Sequence, residues 1–180
     1  VNPNYADARA FLASLLLKTE NYERARRRAE EALDVNPGHL EALSVLAASY
    51  FLEGDSTAYE RTRRRVHALN PTYPDLYTRM AEAAVAQRQY QTAVDLASRA
   101  VELDPTSWWA HGVLGMNQLR IGAVDEGRRS LETAWDGDPY NPWYLNTLDL
   151  LDTFGRYETL RTDHFEILLH ESEADLLGPY

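Results

Sequence analysis

The chain has 180 residues, 44% of them hydrophobic, with a formal net charge of -10 and an isoelectric point near 4.9. That composition supports a packed core rather than disorder, and its acidity argues against nucleic acid and anionic membrane surfaces, since both would repel it. The absence of cysteine removes disulfides, thiol catalysis and thiolate metal sites together.

The chain opens on Val1-Asn2-Pro3 and repeats that triplet at Val35-Asn36-Pro37. Leu69-Asn70-Pro71, Leu103-Asp104-Pro105 and Gly137-Asp138-Pro139 follow, so five prolines stand 34 residues apart. Five prolines in register mark a repeat protein. Residues 1–5 read as the end of a preceding repeat. The start on Val1 at a repeat boundary, with no signal sequence, reads as a piece of a longer chain. The longest early apolar run, Phe11–Leu17, is too short to span a bilayer.

The first unit covers 6–39. Apolar and small residues fall at Ala8, Leu12, Ala13 and Leu16, then at Tyr22, Ala25, Ala29, Ala32 and Val35. Spacings of three and four predict two amphipathic helices, joined by the polar turn Lys18-Thr19-Glu20-Asn21. Proline ends the second helix, and Asn or Asp precedes it each time. The same plan recurs in 40–73, 74–107 and 108–141. Residues 142–156 form one more helix, with Asp149 and Asp152 on its polar side, as a capping helix requires.

This pattern resembles the tetratricopeptide repeat, a helix-turn-helix unit of 34 residues. The family places small residues where its A and B helices cross. Ala13, Ala25 and Ala32 fill those places in the first repeat, Ala81, Ala93 and Ala100 in the third, and Gly115, Gly127 and Ala134 in the fourth. Helices that cross closely leave no room for larger side chains. The second repeat keeps Ala47 but carries Tyr59 and Val66, so its two helices are expected to sit further apart or to tilt. It is therefore expected to be the softest unit. The fold class implied is all-α, a right-handed superhelix of four repeats with a capping helix and a short tail.

The tail, 157–180, is not a repeat. Leu160, Phe165, Ile167 and Leu169 hint at strand alternation, and Arg161-Thr162-Asp163 at a turn, which predicts a β-hairpin; a continued helix is the alternative. Phe165, Ile167 and Leu169 are expected to cover Leu148 and Leu151 of the capping helix. The competing expectation is a dimer formed through the free strand edge. The stretch Thr162–His170 followed by an acidic helix resembles the first strand and helix of zinc-metallopeptidase-like domains that follow tetratricopeptide arrays in bacterial proteins. Such domains carry an HExxH helix. This sequence has none, so no catalytic residue transfers, and the segment reads as the start of a following domain. His164 and His170 lie roughly 20 Å apart on a strand at ~3.3 Å per residue, too far for one ion. No metal or cofactor is expected.

Two basic runs, Glu23–Arg28 and Glu60–Arg65, fall on B helices. A phosphate or nucleic-acid stripe is one reading. A solvated face, with Arg paired to Glu30, Glu31 or Glu60, is favoured by the net acidity. The late aromatics Trp108, Trp135, Tyr140, Trp143 and Tyr144 are expected mostly in the core, with Trp109 the exception.

No nucleophile-base set or phosphate loop has supporting context, which leaves binding. In the resembled family the A helices line a concave groove that holds a peptide or a partner's helix. That implies Asp7, Ser14 and Lys18, together with Ala10 and Leu17, in repeat one. Repeat two gives Glu41, Ala48, Phe51 and Leu52, with Ser44. Repeat three gives Asp75, Glu82 and Val85, with Thr78 and Ala86. Repeat four gives Trp109, Met116, Leu119 and Arg120, with Gly112. Some members clamp a C-terminal carboxylate with Lys and Asn on the first A helix; Ala10 and Ser14 stand there here. An acidic rim (Asp7, Glu41, Asp75, Glu82) around an apolar floor suits an apolar segment with basic flanks. The expected partner is a protein, a peptide, or the chain's own neighbouring domain.

Overall fold

The structure, a computed structural model, describes residues 5–177. It divides at Asp138–Pro139 into two units. The first holds four helix pairs: α1 (Ala6–Lys18) with α2 (Tyr22–Val35), α3 (Leu40–Glu53) with α4 (Ser56–Leu69), α5 (Asp75–Ala86) with α6 (Tyr90–Leu103), and α7 (Trp108–Arg120) with α8 (Val124–Gly137).

The recurring triplet explains where each pair ends. Asn36, Asn70, Asp104 and Asp138 all have extended φ between -145° and -135°, because a following proline ring excludes the helical region. Asn36, Asn70 and Asp104 then accept the N–H two residues on, at 3.1, 3.1 and 2.9 Å. That side-chain turn is what Asn and Asp supply and an apolar residue does not. A second register lies in the A–B turns. Glu20, Gly54, Arg88 and Gly122 all take positive φ, 58°, 75°, 58° and 83°. Two of these left-handed corners use glycine, and two strain an L side chain.

Close crossings rest on small residues. A Cβ on Gly115 would lie 2.8 Å from the Gly127 carbonyl oxygen and from Leu131, and one on Gly127 would lie 2.7 Å from Leu119. Neither position has room for alanine. In the second pair, Tyr59 stacks obliquely on Phe51, with centroids 5.9 Å apart. The contact between α3 and α4 is the sparsest of the four pairs, in line with the expected separation or tilt, and a further space opens between α4 and α5.

The core centres on α3. Ala42 through Ser49 are buried without interruption, so this helix is apolar all round and enclosed on every side. It contacts α1, α2, α4 and α5. The His39 side chain accepts from the Ala42 N–H at its start, and Gly54 closes its end in the left-handed conformation.

The second unit contains α9 (Pro142–Thr153), a 3-10 turn at Phe154–Arg156, strands β1 (Tyr157–Arg161) and β2 (Glu166–His170), and α10 (Glu171–Leu177). Asn141 caps α9, with Pro142 in its first turn. The strands form an antiparallel hairpin in register Tyr157 to His170 and Arg161 to Glu166. Thr162 N–H donates to the Phe165 carbonyl at 2.9 Å across the turn. The hairpin is as expected, but of the three residues expected to cover Leu148 and Leu151, Phe165 is 71% and Ile167 43% exposed, and Leu169 alone is half-buried. It is α10 that packs on both strands. His170 holds the start of α10, its Nδ1 2.8 Å from Ser172 Oγ. Among the described residues no group of three His, Asp or Glu is placed to hold a metal, and no helix is long and apolar enough to cross a membrane.

Candidate concave binding face

The A helices α1, α3, α5 and α7 belong to the first unit, and their face is not the continuous groove the sequence suggests. α1 and α5 touch directly. Lys18 Nζ lies 3.2 Å from Glu82 Oε1, and Gln87 Nε2 donates to the Tyr22 hydroxyl at 3.4 Å. These contacts join the first repeat to the third across α3. They form because α3 presents Ala42, Ser44, Ala47, Ala48 and Ser49, side chains small enough for neighbours on both sides to close in.

The closure places several expected groove residues in the core. Ala48, Ser44, Ala10 and Thr78 are fully buried, and Ser14 and Leu17 nearly so. Ala48 and Ser14 therefore line no open groove, a correction to the sequence reading. Ser14 donates to the Phe11 carbonyl and borders a crevice with Lys18, Arg79 and Glu82 that has no room for a water molecule. Phe51 and Leu52 are half-buried against the α3 cluster. Leu119 turns toward α8, with Cδ2 over Gly127. Lys18, Glu82, Val85, Ala86, Trp109 and Met116 keep some exposure.

The expected acidic rim is internally paired. Asp7 Oδ1 lies 2.9 Å from His39 Nε2, and Glu41 Oε1 accepts from Arg79 Nη2 at 3.1 Å. Burial pushes the Asp75 carboxyl above its ordinary range, although Arg79 and the Tyr73 hydrogen bond pull it down. Burial likewise raises the Tyr73 phenol. Glu82 Oε1 serves Lys18 and also accepts from Trp109 Nε1 at 3.3 Å. Arg79 lies over the Trp109 ring, 5.3 Å from its centroid, a cation-π contact. At the far end Arg120 bonds Asn117 at 2.8 Å and covers Tyr90.

Arg79 is the residue the sequence reading missed, and it organises this face by joining Glu41 on α3 to Trp109 on α7. Its signal was visible: a guanidinium in the otherwise uncharged stretch 76–81 needs partners if it is buried. Its Nε and the Glu82 Oε2 are buried with no hydrogen-bond partner among the described residues. Of the late aromatics, Trp109 is half-buried, as expected. Trp135 is half-buried too, while Trp108, Tyr140 and Trp143 are exposed, Tyr140 at 92%. The expectation that most would be core is corrected; Tyr144 alone of the set is buried. The basic runs follow the solvated reading in part, with Arg28 on Glu31 and Arg63 on Glu60.

The model of the tetratricopeptide repeat matches residues 11–58 and 78–142. The chain belongs to the tetratricopeptide repeat family. It is similar to anaphase-promoting complex subunit 3 of Schizosaccharomyces pombe, with 21% identity over 126 residues, 69% of this chain and 19% of that protein. The chain thus spans about a fifth of the length of this curated relative. Among solved structures, a thermophilic tetratricopeptide protein of Thermus thermophilus superposes with a TM-score of 0.55, at 24% identity, over 81% of this chain and 80% of that one. The pilF protein of Pseudomonas aeruginosa gives 0.54, at 19% identity, over 81% and 67%. The first repeat domain of Spaghetti (RPAP3), bound to the HSP90 peptide SRMEEVD, gives 0.51, at 19% identity, over 63% and 92%. These likenesses establish the all-α repeat fold.

Proposed function

We propose that this chain is a non-catalytic scaffold that binds a segment of a protein partner on the α5–α7 part of its concave face. The closure of α1 on α5 carries this reading, because it leaves that stretch as the accessible one. Trp109, Val85 and Met116 offer apolar surface there, and Glu82 is the carboxylate held by the most exposed partner, Lys18. An exposed ion pair contributes little, about 0–1 kcal/mol, so a ligand cation can replace Lys18 at modest cost. The fitting segment carries one Lys or Arg for Glu82 and an apolar side chain for Trp109. This narrows the broader expectation of basic flanks along a four-residue acidic rim, since Asp7, Glu41 and Asp75 are already engaged. That a relative of the same fold was solved with an HSP90 peptide supports peptide binding as the class of activity.

The test is selection from a displayed peptide library, followed by affinity measurement on variants. Trp109→Ala and Glu82→Lys should each weaken the selected peptides about tenfold or more, a hot-spot effect. Phe51→Ala should leave affinity unchanged. Binding that tolerates both of the first two changes contradicts the reading.

A second reading has the array as an accessory to a zinc metallopeptidase domain of a longer protein. The succession of hairpin and acidic helix in 157–177 favours it. An HExxH helix in the downstream gene sequence would support it, and its absence there would remove it.

A further inference from the structure

The space between α4 and α5 is an open cleft of about 450 Å³ on the side of the B helices, bordered also by α6. In a chain of net charge -10, it is lined by Arg63, Arg64, Arg99, His67 and Tyr77 and by no carboxylate. The Tyr77 hydroxyl sits 3.2 Å from His67 Nε2. His67 Nδ1 lies 3.1 Å from the Pro71 carbonyl oxygen. A carbonyl only accepts, so Nδ1 carries a proton, and Nε2 of the neutral ring accepts from the Tyr77 O–H.

The arginines have donors to spare. Glu60 takes Nε and Nη2 of Arg63, and Glu102 takes Nη1 of Arg99. Both carboxylates stand outside the cleft lining. Arg64 is exposed and makes no ion pair among the described residues. Guanidinium forks match the oxygens of a phosphoryl group, and such charge-assisted bonds are the strong ones. The volume exceeds one phosphate, and Ala68, Pro71 and Leu103 give the cleft apolar sides.

We propose that this cleft binds the phosphoryl group of a phosphate monoester, with its organic body against the apolar sides. Arg64, Arg99 and Arg63 take the phosphoryl oxygens. Helix α4 stands off α5, and part of the basic run it carries faces a cavity in place of bulk water. Only Arg63 and Arg64 of Glu60–Arg65 line it. The run on α2 lies three residues earlier in its repeat, and the corresponding cleft of about 420 Å³ beside α2 is lined there by Glu30, Leu33 and Asp34, two of them carboxylates.

The experiment is calorimetric titration of the full chain with inorganic phosphate, a phosphoserine peptide, its unphosphorylated form, a nucleoside monophosphate and a single-stranded oligonucleotide. Saturable binding of at least one monoester is expected, weakened about tenfold or more by Arg64→Glu combined with Arg99→Glu. Arg24→Glu, on α2, should change it less than twofold. Arg64→Glu alone breaks no ion pair, so it tests the site if the double variant fails to fold; it should still weaken binding severalfold. Tyr77→Phe should also weaken binding while keeping the ring in place. The tighter monoester identifies the source, protein-borne or free. No saturable monoester binding, equal loss in Arg24→Glu, or binding of the oligonucleotide alone would each overturn the proposal.

Discussion

Helices α3 and α7 hold the same place in their repeats, yet one is core and the other is surface. The residues of α3 from 42 to 49 are buried without a break, whereas α7 keeps Trp109 and Met116 half-exposed. The difference lies first in position: α3 contacts α1, α2, α4 and α5, whereas α7 makes its contacts with α5, α6 and α8. Ala42, Ser44, Ala47, Ala48 and Ser49 let α1 and α5 approach until Lys18 meets Glu82. Helix α7 carries small residues at the corresponding Ala110, Gly112 and Gly115, but it belongs to the last pair of the first unit, with no further pair of that unit on its other side.

Truncation should separate the two helices most clearly. Leu43→Ala, in the centre of the core, is expected to cost about 3 kcal/mol by urea denaturation, and Met116→Ala about 1 kcal/mol or less. Equal costs would mean that α3 is no more enclosed than α7. Enlargement asks the same question in reverse. Ala48→Leu should destabilise by about 2 kcal/mol, because α1 and α5 cannot retreat without losing their contacts. A groove residue would accept leucine at no cost.

The polar side of the closure has a pH signature. The Asp75 carboxyl is raised above its unfolded value, chiefly by burial. The folded state therefore binds the proton more tightly than the unfolded state. Stability falls as pH rises from about 4, the ordinary aspartate value, through the folded value, and the penalty is complete above that. Asp75→Asn should remove this dependence. Melting temperatures of the parent should drop relative to the variant as pH rises through that window; parallel curves would show Asp75 to be solvated. The smallest expected effect lies in the turns. Glu20→Gly and Arg88→Gly relieve left-handed backbone and should each stabilise by about 0.5–1 kcal/mol, while Gly54→Ala and Gly122→Ala should destabilise.

The repeat was legible in the sequence because its markers are local. Proline excludes helix from the residue before it, and Asn or Asp completes the turn, so five triplets define the period without reference to tertiary structure. The small residues at Gly115 and Gly127 were legible for the same reason: each reports one crossing. The closure over α3 was not legible. It depends on how far two helices 64 residues apart approach across a third, as Lys18 and Glu82 do, and the positions that permit it, Ser44 and Ala48, look like any groove floor. The loosened second pair was legible in Tyr59, whose ring rests on Phe51; the space on the other side of α4 was not. In the tail, alternation predicted the hairpin, but nothing in it said that α10 would take the covering role expected of the capping helix.

The proposed binding stretch α5–α7 rests on the closure of the concave face between α1 and α5. The chain has no cysteine, so Lys18→Cys with Glu82→Cys places two nitroxide labels where they are wanted and nowhere else. Strong dipolar broadening is expected in the electron paramagnetic resonance spectrum of the doubly labelled chain and is absent from either single label. A spectrum equal to the sum of the two single-label spectra would mean an open groove over α3, and would contradict the closure.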